Sequence, residues 1–182
     1  MTFRTTEELA AGLDQVRLSP KDRGVLELIV RRPAVGEREI LAVGELSLID
    51  GLVGDSWKVR PSSRTETGTA HPAMQITIIN ARAIALISPD PDRRPLAGDQ
   101  LHVDLDLSLE NLPPGTRLAI GSAVVEVTAQ PHSGCKKFSA RFGSEARRFV
   151  TSPEGSALRM RGVNAKVVQP GTITQGATVT RL

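Results

Sequence analysis

The chain has 182 residues, of which 40% are hydrophobic and 24% charged, with a formal net charge of +3. A chain of this length and composition can bury one hydrophobic core without disulfides or a structural metal, so we expect a single core. The near balance of charges and the aromatic content of 3% argue against a nucleic-acid partner, which would need basic patches and aromatic side chains for base stacking.

The lone cysteine, Cys135, cannot form an internal disulfide, which favours a reducing compartment. No apolar run approaches the roughly 18 residues that a membrane-spanning helix needs. The N-terminal residues include Glu7 and Glu8 rather than the basic and apolar regions of a signal peptide. We therefore expect a cytoplasmic protein with no membrane partner.

The first predicted element is a short amphipathic helix. Thr5 and Glu8 have the spacing of a capping box, and apolar residues follow at helical intervals, namely Leu9, Leu13 and Val16. We interpret residues 1–20 as a helical extension and residues 21–182 as one β-barrel domain.

From Gly24 onward, short β-rich runs alternate with glycines and prolines. The clearest is 101–108, where apolar and polar residues alternate strictly, as in a strand with one buried face and one wet face. The predicted strands are residues 25–30, 74–79, 101–107, 117–120, 123–128, 163–168 and 178–182. Helices are predicted at 81–87 and 144–150. This pattern favours a mostly-β fold, an antiparallel β-barrel with a few short helices.

Cys135 is the main candidate for chemistry. It follows a predicted strand, precedes a predicted short helical turn, and is flanked by basic residues, His132, Lys136, Lys137 and Arg141. Positive charge favours the thiolate, which is the form that attacks electrophiles and binds soft metals. The alternative is that Cys135 is a small buried apolar residue. Local sequence leaves both interpretations open.

Several segments, in order, resemble the MOSC domain family, which takes its name from the C-terminal part of molybdenum cofactor sulfurases. Upstream are a Gly-x-x-Gly-Asp element at 51–55 and a Gln-hydrophobic-Thr strand at 75–80. Around Cys135 are a strand with Glu-Asn-Leu at 98–112, a glycine turn at 118–123, and a closing strand and turn at 161–176. No single motif is specific, but their joint order identifies the chain as a member resembling stand-alone bacterial proteins of this type.

The resemblance implies a barrel that binds molybdenum cofactor, with Cys135 as the metal ligand. Such relatives reduce N-hydroxylated small molecules with electrons from a flavin or iron–sulfur partner. On this interpretation His132 and Lys136 are candidate proton donors, and the candidate cofactor-binding residues are Cys135, Asp55, Arg60, Asn111, Lys137, Arg141 and Arg161.

Two other functions remain open. In one, Cys135 carries sulfur as a persulfide supplied by a pyridoxal-phosphate-dependent cysteine desulfurase; in the other, the chain handles the cofactor without turnover on a small substrate. A third possibility is a binding barrel without a cofactor. Whether the protein is an enzyme therefore stays open at this stage.

Some candidates also have simpler explanations. Asp55 and Trp57 fit a capped turn as well as a pocket edge, and Asn111 fits a residue that ties two loops together. The three histidines lack the spacing of a zinc site. Loop 60–72 has no periodicity, and a long loop of this kind inside a compact domain is often functional or mobile.

Overall fold

The computed structural model describes residues 3–182. The helices are α1 (Thr6–Ala11), α2 (Leu13–Arg17), α3 (Ala81–Ile87), α4 (Lys136–Phe142), α5 (Ser144–Val150) and α6 (Pro153–Ala157). The strands are β1 (Arg23–Arg31), β2 (Glu39–Leu41), β3 (Val43–Ser47), β4 (Gly51–Leu52), β5 (Ile76–Asn80), β6 (Leu101–Asp104), β7 (Arg117–Ile120), β8 (Ala123–Val127), β9 (Val163–Gln169), β10 (Gly171–Thr174) and β11 (Thr178–Arg181). Short 3₁₀ helices span Ser56–Val59, Pro72–Met74 and Pro91–Ala97.

The strands form a closed barrel with the order β11-β7-β8-β9-β5-β6-β1, in which β1 pairs back onto β11. β2 adds to β1, and β10, β3 and β4 make a separate small sheet. The predicted mostly-β barrel is confirmed. Its pairs are antiparallel except for β5 and β6, which run parallel because helix α3 carries the chain across between them.

All seven predicted strands are barrel strands, and α3 and α5 have the predicted bounds. The strands absent from the prediction are β2, β3, β4 and β10. Strands of two or three residues, such as β4 and β2, are too short to show a period-two pattern. Exposed apolar residues such as Ile40 and Val43 further obscure it, because they place apolar side chains at solvent-facing positions.

Two apolar clusters hold the fold together. The first collects inward-facing side chains from all seven barrel strands, among them Leu26, Ile78, Val103, Leu118, Val125, Ala165 and Val179. The second lies outside the barrel, where α1 to α5 pack together over the β5 side chain of Ile79. Helix α4, which follows Cys135, is anchored in this second cluster by Phe138 and Phe142.

The strand predicted at 101–107 is shorter and more buried than expected. β6 ends at Asp104, although Leu105 and Leu107 continue the buried alternation. The prediction that the polar face is wet is wrong for His102, which is 2% exposed because α3 packs on β6. Burial, followed by the charges of Arg94 and Arg161, lowers the pKa of His102 to about 4.

The N-terminal segment forms two short helices, α1 and α2, rather than one. Thr5 and Glu8 form the predicted capping box. Leu9, Leu13 and Val16 are buried in the second cluster, so these helices belong to the packed structure. No helix among residues 3–182 is long and apolar enough to cross a membrane.

Candidate functional site

Cys135 lies at the end of the loop between β8 and α4, immediately before the first residue of α4. Its side chain is exposed and makes no capping hydrogen bond. The start of this loop is fixed from the barrel wall, because Asn164 Nδ2 donates to Gln130 O (3.1 Å) and Pro131 O (3.2 Å). The structure therefore favours the accessible thiol over the buried apolar cysteine.

The thiol faces a pocket of about 220 Å³, here called the cysteine pocket. Its basic lining residues are Arg32, Arg38, Arg60, Lys137, Arg141 and Arg161. An adjoining pocket of about 260 Å³, the tryptophan pocket, is lined by Trp57, His71 and Met74. The two pockets share Arg32, Arg60, Thr77 and His132 in their walls, so they lie side by side, and together they are here called the groove.

The arginines of the cysteine pocket lie close enough to repel one another. Burial, followed by the charges of Arg141, Arg32 and Arg60, lowers the pKa of Arg38 to about 10. Burial and the charge of Arg32 likewise lower the pKa of Arg60. A cluster of partly buried guanidinium groups with too few carboxylates suits an anion, which would form charge-assisted hydrogen bonds with them.

Two of these arginines, Arg32 and Arg161, are paired with buried carboxylates. Arg32 lies just beyond β1 and is 6% exposed. Its Nη2 is 2.7 Å from Asp55 Oδ1 and its Nε is 2.8 Å from Asp55 Oδ2, while Nη1 donates to Gly98 O at 2.9 Å. Asp55 also accepts from the backbone N–H of Trp57 and so caps the 3₁₀ helix Ser56–Val59, which Arg60 follows. The pair therefore fixes the pocket wall.

A second buried carboxylate, Asp99, lies beneath His132. Its Oδ2 accepts a hydrogen bond from Arg161 Nη1 at 2.6 Å, and its Oδ1 is 3.5 Å from His132 Nδ1. Arg161 also donates to Ala97 O and stacks its guanidinium over the Phe138 ring, 4.9 Å from the ring centroid. Arg161 thus ties the segment before β6 to helix α4.

The structure brings six of the predicted site residues together. Cys135, His132, Arg60, Lys137, Arg141 and Arg161 all line the cysteine pocket. Lys137 and Arg141 are four residues apart on α4 and therefore share one helix face. Lys136 points elsewhere, is exposed, and lines neither pocket of the groove, because adjacent helix residues face different directions.

Asp55 and Asn111 are placed differently from the other candidates. The Asp55 side chain is fully buried and reaches the pocket only through Arg32. Asn111 donates to Lys21 O and Asp106 O, both at 2.8 Å, and accepts from Arg181. These contacts join loops remote from the cysteine loop, so Asn111 ties loops together and is not placed for a direct cofactor contact.

Sequence reasoning missed Arg32, Arg38, Thr77 and Asp99, which lie in or beneath the pocket wall. Asp99 carried a signal, because it belongs to the Gly-Asp pair that begins one of the matched segments. Arg32 and Arg38 carried none, since charged residues after a strand are usually solvated. Arg64 and Arg159 donate to Pro131 O and Leu112 O and line neither pocket of the groove.

No group of three or more His, Cys, Asp or Glu side chains able to hold a metal ion occurs in the part of the chain that the structure describes. Among these residues Cys135 is therefore a single soft ligand rather than part of an all-protein metal site. A metal held here would need further ligands from a bound molecule.

Comparison with known proteins gives a family and a fold. The family model for the MOSC domain matches residues 71–180. The YuaD protein from Bacillus subtilis is similar in structure with a TM-score of 0.62 at 15% identity, covering 86% of this chain and 94% of that chain. YiiM from Escherichia coli gives 0.55 at 18% identity, covering 87% of this chain and 69% of that chain. No curated relative matches the chain.

Proposed function

Since the chain belongs to the MOSC domain family, we propose that it binds molybdenum cofactor with Cys135 as the metal ligand and reduces N-hydroxylated compounds. The observation that carries the proposal is the exposed Cys135 thiol on the wall of a pocket lined with arginines. The single free cysteine also fits a reducing compartment, and we assign the protein to the cytoplasm.

The residues present fit this cofactor, which carries a pterin phosphate and a dithiolene. Arg38, Arg60 and Arg141 would hold the anionic group, because their mutual repulsion is relieved when an anion enters. Cys135 would supply the soft sulfur ligand that a second-row transition metal accepts. When bound, the cofactor supplies a redox centre that accepts electrons and removes oxygen from the substrate.

The residues of the chain would transfer protons to the substrate and hold the pocket wall in place. Reduction of R–NHOH to R–NH₂ and water consumes two electrons, here from a flavin or iron–sulfur partner, and two protons. We assign proton transfer to His132 rather than Lys136, because His132 lines both pockets of the groove and Lys136 lines neither. The Arg32–Asp55 pair holds the wall on which Arg60 lies.

Sulfur carriage is the second candidate function, and the exposure of Cys135 favours it. A persulfide carrier must present its thiol to a partner protein, here a pyridoxal-phosphate-dependent cysteine desulfurase, and an exposed residue before a helix meets that need. Sulfur carriage does not need the arginine-lined pocket, so the structure supports it less well than it supports cofactor binding.

The test is molybdenum content and cyanide-labile sulfur in the full chain and in Cys135→Ser, produced in a host that makes the cofactor. Near-stoichiometric molybdenum that is lost in the variant supports the proposal. Equal molybdenum in both proteins overturns Cys135 as the ligand. Labile sulfur without molybdenum supports the carrier function, and neither signal leaves a cofactor-free binding barrel. Arg117→Gln, which removes an exposed arginine outside the groove, is the control.

A further inference from the structure

We propose that Asp99 is a positioning residue that fixes His132 as the tautomer protonated at Nδ1, leaving Nε2 as the proton-transfer atom of the groove. This inference rests on the proposed function for its role in turnover. The arrangement of Asp99, His132 and Arg161 stands on its own geometry.

The first argument is an unpartnered pair of buried atoms. Asp99 Oδ1 and His132 Nδ1 are both buried and lie 3.5 Å apart, and neither atom makes a hydrogen bond. Leaving two such groups unpaired is costly. A small approach with the proton on Nδ1 pairs both atoms. The opposite tautomer would point the Nδ1 lone pair at a carboxylate oxygen, which is repulsive.

The second argument is the charge around the pair. Arg161 Nη1 binds the other oxygen of Asp99 at 2.6 Å, so the carboxylate is already matched by one buried cation. Burial, followed by the charges of Arg161, Arg32 and Arg64, lowers the pKa of His132 well below its ordinary value. His132 is therefore neutral at rest, and Nε2 carries a lone pair when Nδ1 holds the proton.

The third argument is that Asp99 can stabilise a protonated ring. A proton that arrives at Nε2 gives an imidazolium ion whose Nδ1–H faces Asp99 Oδ1, 3.5 Å away, so the carboxylate offsets the new charge without itself being protonated. Release of the proton from Nε2 restores the neutral ring with its proton on Nδ1.

The fourth argument is access. The His132 side chain is 13% exposed while its Nδ1 is buried, so its exposed surface belongs to other atoms of the side chain. His132 and Arg161 also line a third pocket of about 280 Å³, whose walls do not include Cys135, so His132 borders a space other than the cysteine pocket.

The first test reads the tautomer directly in protein without cofactor. The full chain is labelled with ¹⁵N-histidine, and the His132 signals are assigned by comparison with His132→Gln. At mildly alkaline pH we expect a protonated Nδ1 and an unprotonated Nε2 at His132. In Asp99→Asn the neutral amide is a weaker acceptor, so the ring should shift toward the Nε2–H form, the common tautomer of free histidine.

The matched control is Asp104→Asn, which removes a carboxylate at the end of β6 that pairs with Arg82 outside the groove. It should leave the His132 signals unchanged. An Nε2–H tautomer in the wild-type protein would overturn the proposal even if Asp99→Asn failed to fold. An unchanged tautomer in a folded Asp99→Asn protein would also overturn it.

The second test measures turnover of an amidoxime with reduced methyl viologen as the electron donor. Asp99→Asn should lower kcat by about 100-fold, the usual contribution of a positioned acid–base group, with molybdenum content and KM little changed. Loss of molybdenum from the variant, or an unchanged kcat, would contradict the role in turnover. If the wild-type protein lacks molybdenum or activity, the proposed function fails, while the tautomer measurement still decides the role of Asp99.

Discussion

Arg32 and Asp55 meet through two parallel hydrogen bonds, at 2.7 and 2.8 Å, with side-chain exposures of 8% and 0%. Arg32 belongs to the turn after β1 and Asp55 to the turn after β4, so the pair joins the barrel to the small sheet. It places one neutralised guanidinium beside several guanidinium groups that have no carboxylate of their own.

Asp55→Asn is expected to destabilise the fold by about 3 kcal/mol, because it leaves Arg32 buried without its counter-charge. Urea unfolding at neutral pH measures this free energy. The control is Glu126→Gln, whose carboxylate forms exposed pairs with Arg117 and Lys166, and its effect should be much smaller. Equal effects of the two substitutions would show that the buried pair is not special.

The Arg32–Asp55 pair also makes the stability of the fold depend on pH. Burial opposes ionisation of Asp55, but the hydrogen bonds and charge of Arg32 outweigh it, so its pKa lies below the ordinary 3.8. A carboxyl group with a lowered folded-state pKa stabilises the fold above its unfolded pKa, and this stabilisation disappears as the pH falls through the folded value. Unfolding free energies of wild type and Asp55→Asn should therefore converge below pH 3.8, and parallel curves would contradict this.

The Cys135 thiol is expected to react with Ellman's reagent in the native protein nearly as fast as in denaturing urea, because the side chain is exposed. Pyrophosphate should slow the native reaction by occupying the arginine-lined pocket. The absorbance of the released thiolate dye follows both rates. A native thiol that reacts only after unfolding would place Cys135 inside the protein.

Arg38→Gln is expected to weaken pyrophosphate binding about tenfold, the cost of one charge-assisted hydrogen bond. Without pyrophosphate the variant should be at least as stable as the wild type, since one member of a mutually repelling cluster is gone. Calorimetric titration and thermal unfolding give the two quantities. Arg117→Gln, outside the groove, should alter neither, and a similar loss in that control would indicate non-specific binding.

Gly162→Ala is expected to lower the free energy of unfolding by about 3 kcal/mol and to disturb the site beside His132. Gly162 has φ of +100°, and an added Cβ would lie 2.3 Å from Ile78 O and 3.3 Å from His132 Nδ1. Gly176→Ala is the matched control, because its φ is +84° but nothing lies within 4 Å. It should cost only about 1 kcal/mol, the strain of a left-handed residue. Thermal unfolding of both variants measures the difference.

Several barrel strands were predictable from sequence because they bury one face and show it as alternation, whereas all five residues of β5 are buried. Leu118 and Ile120, or Val163 and Ala165, are apolar at every second position and lie in the first core cluster. The parallel pairing of β5 with β6 was not predictable, because it depends on where α3 crosses. The prediction that His102 is solvent-exposed was wrong for a related reason, since alternation does not reveal that a helix covers the outer face of β6.

The candidate site was predictable only near Cys135. Lys137, Arg141 and His132 are close to it in sequence, and the family resemblance added Arg60 and Arg161. Arg32 and Arg38 come from distant segments, and nothing local distinguishes them from solvated surface charges. Asp99 is also distant and was marked only by its place in a Gly-Asp pair. Asn111 was selected because it lies in a matched motif, but its side-chain amide donates to Lys21 O and Asp106 O instead.

The arginine cluster is drawn from segments that are far apart in the chain, so it exists only in the folded protein. A molecule that binds there binds the native state alone, and at a concentration of about 100 times its Kd it adds about 2.7 kcal/mol to stability. Copies that lack this molecule spend more time unfolded and are more readily degraded. The supply of the ligand would thereby set how much of the protein a cell retains.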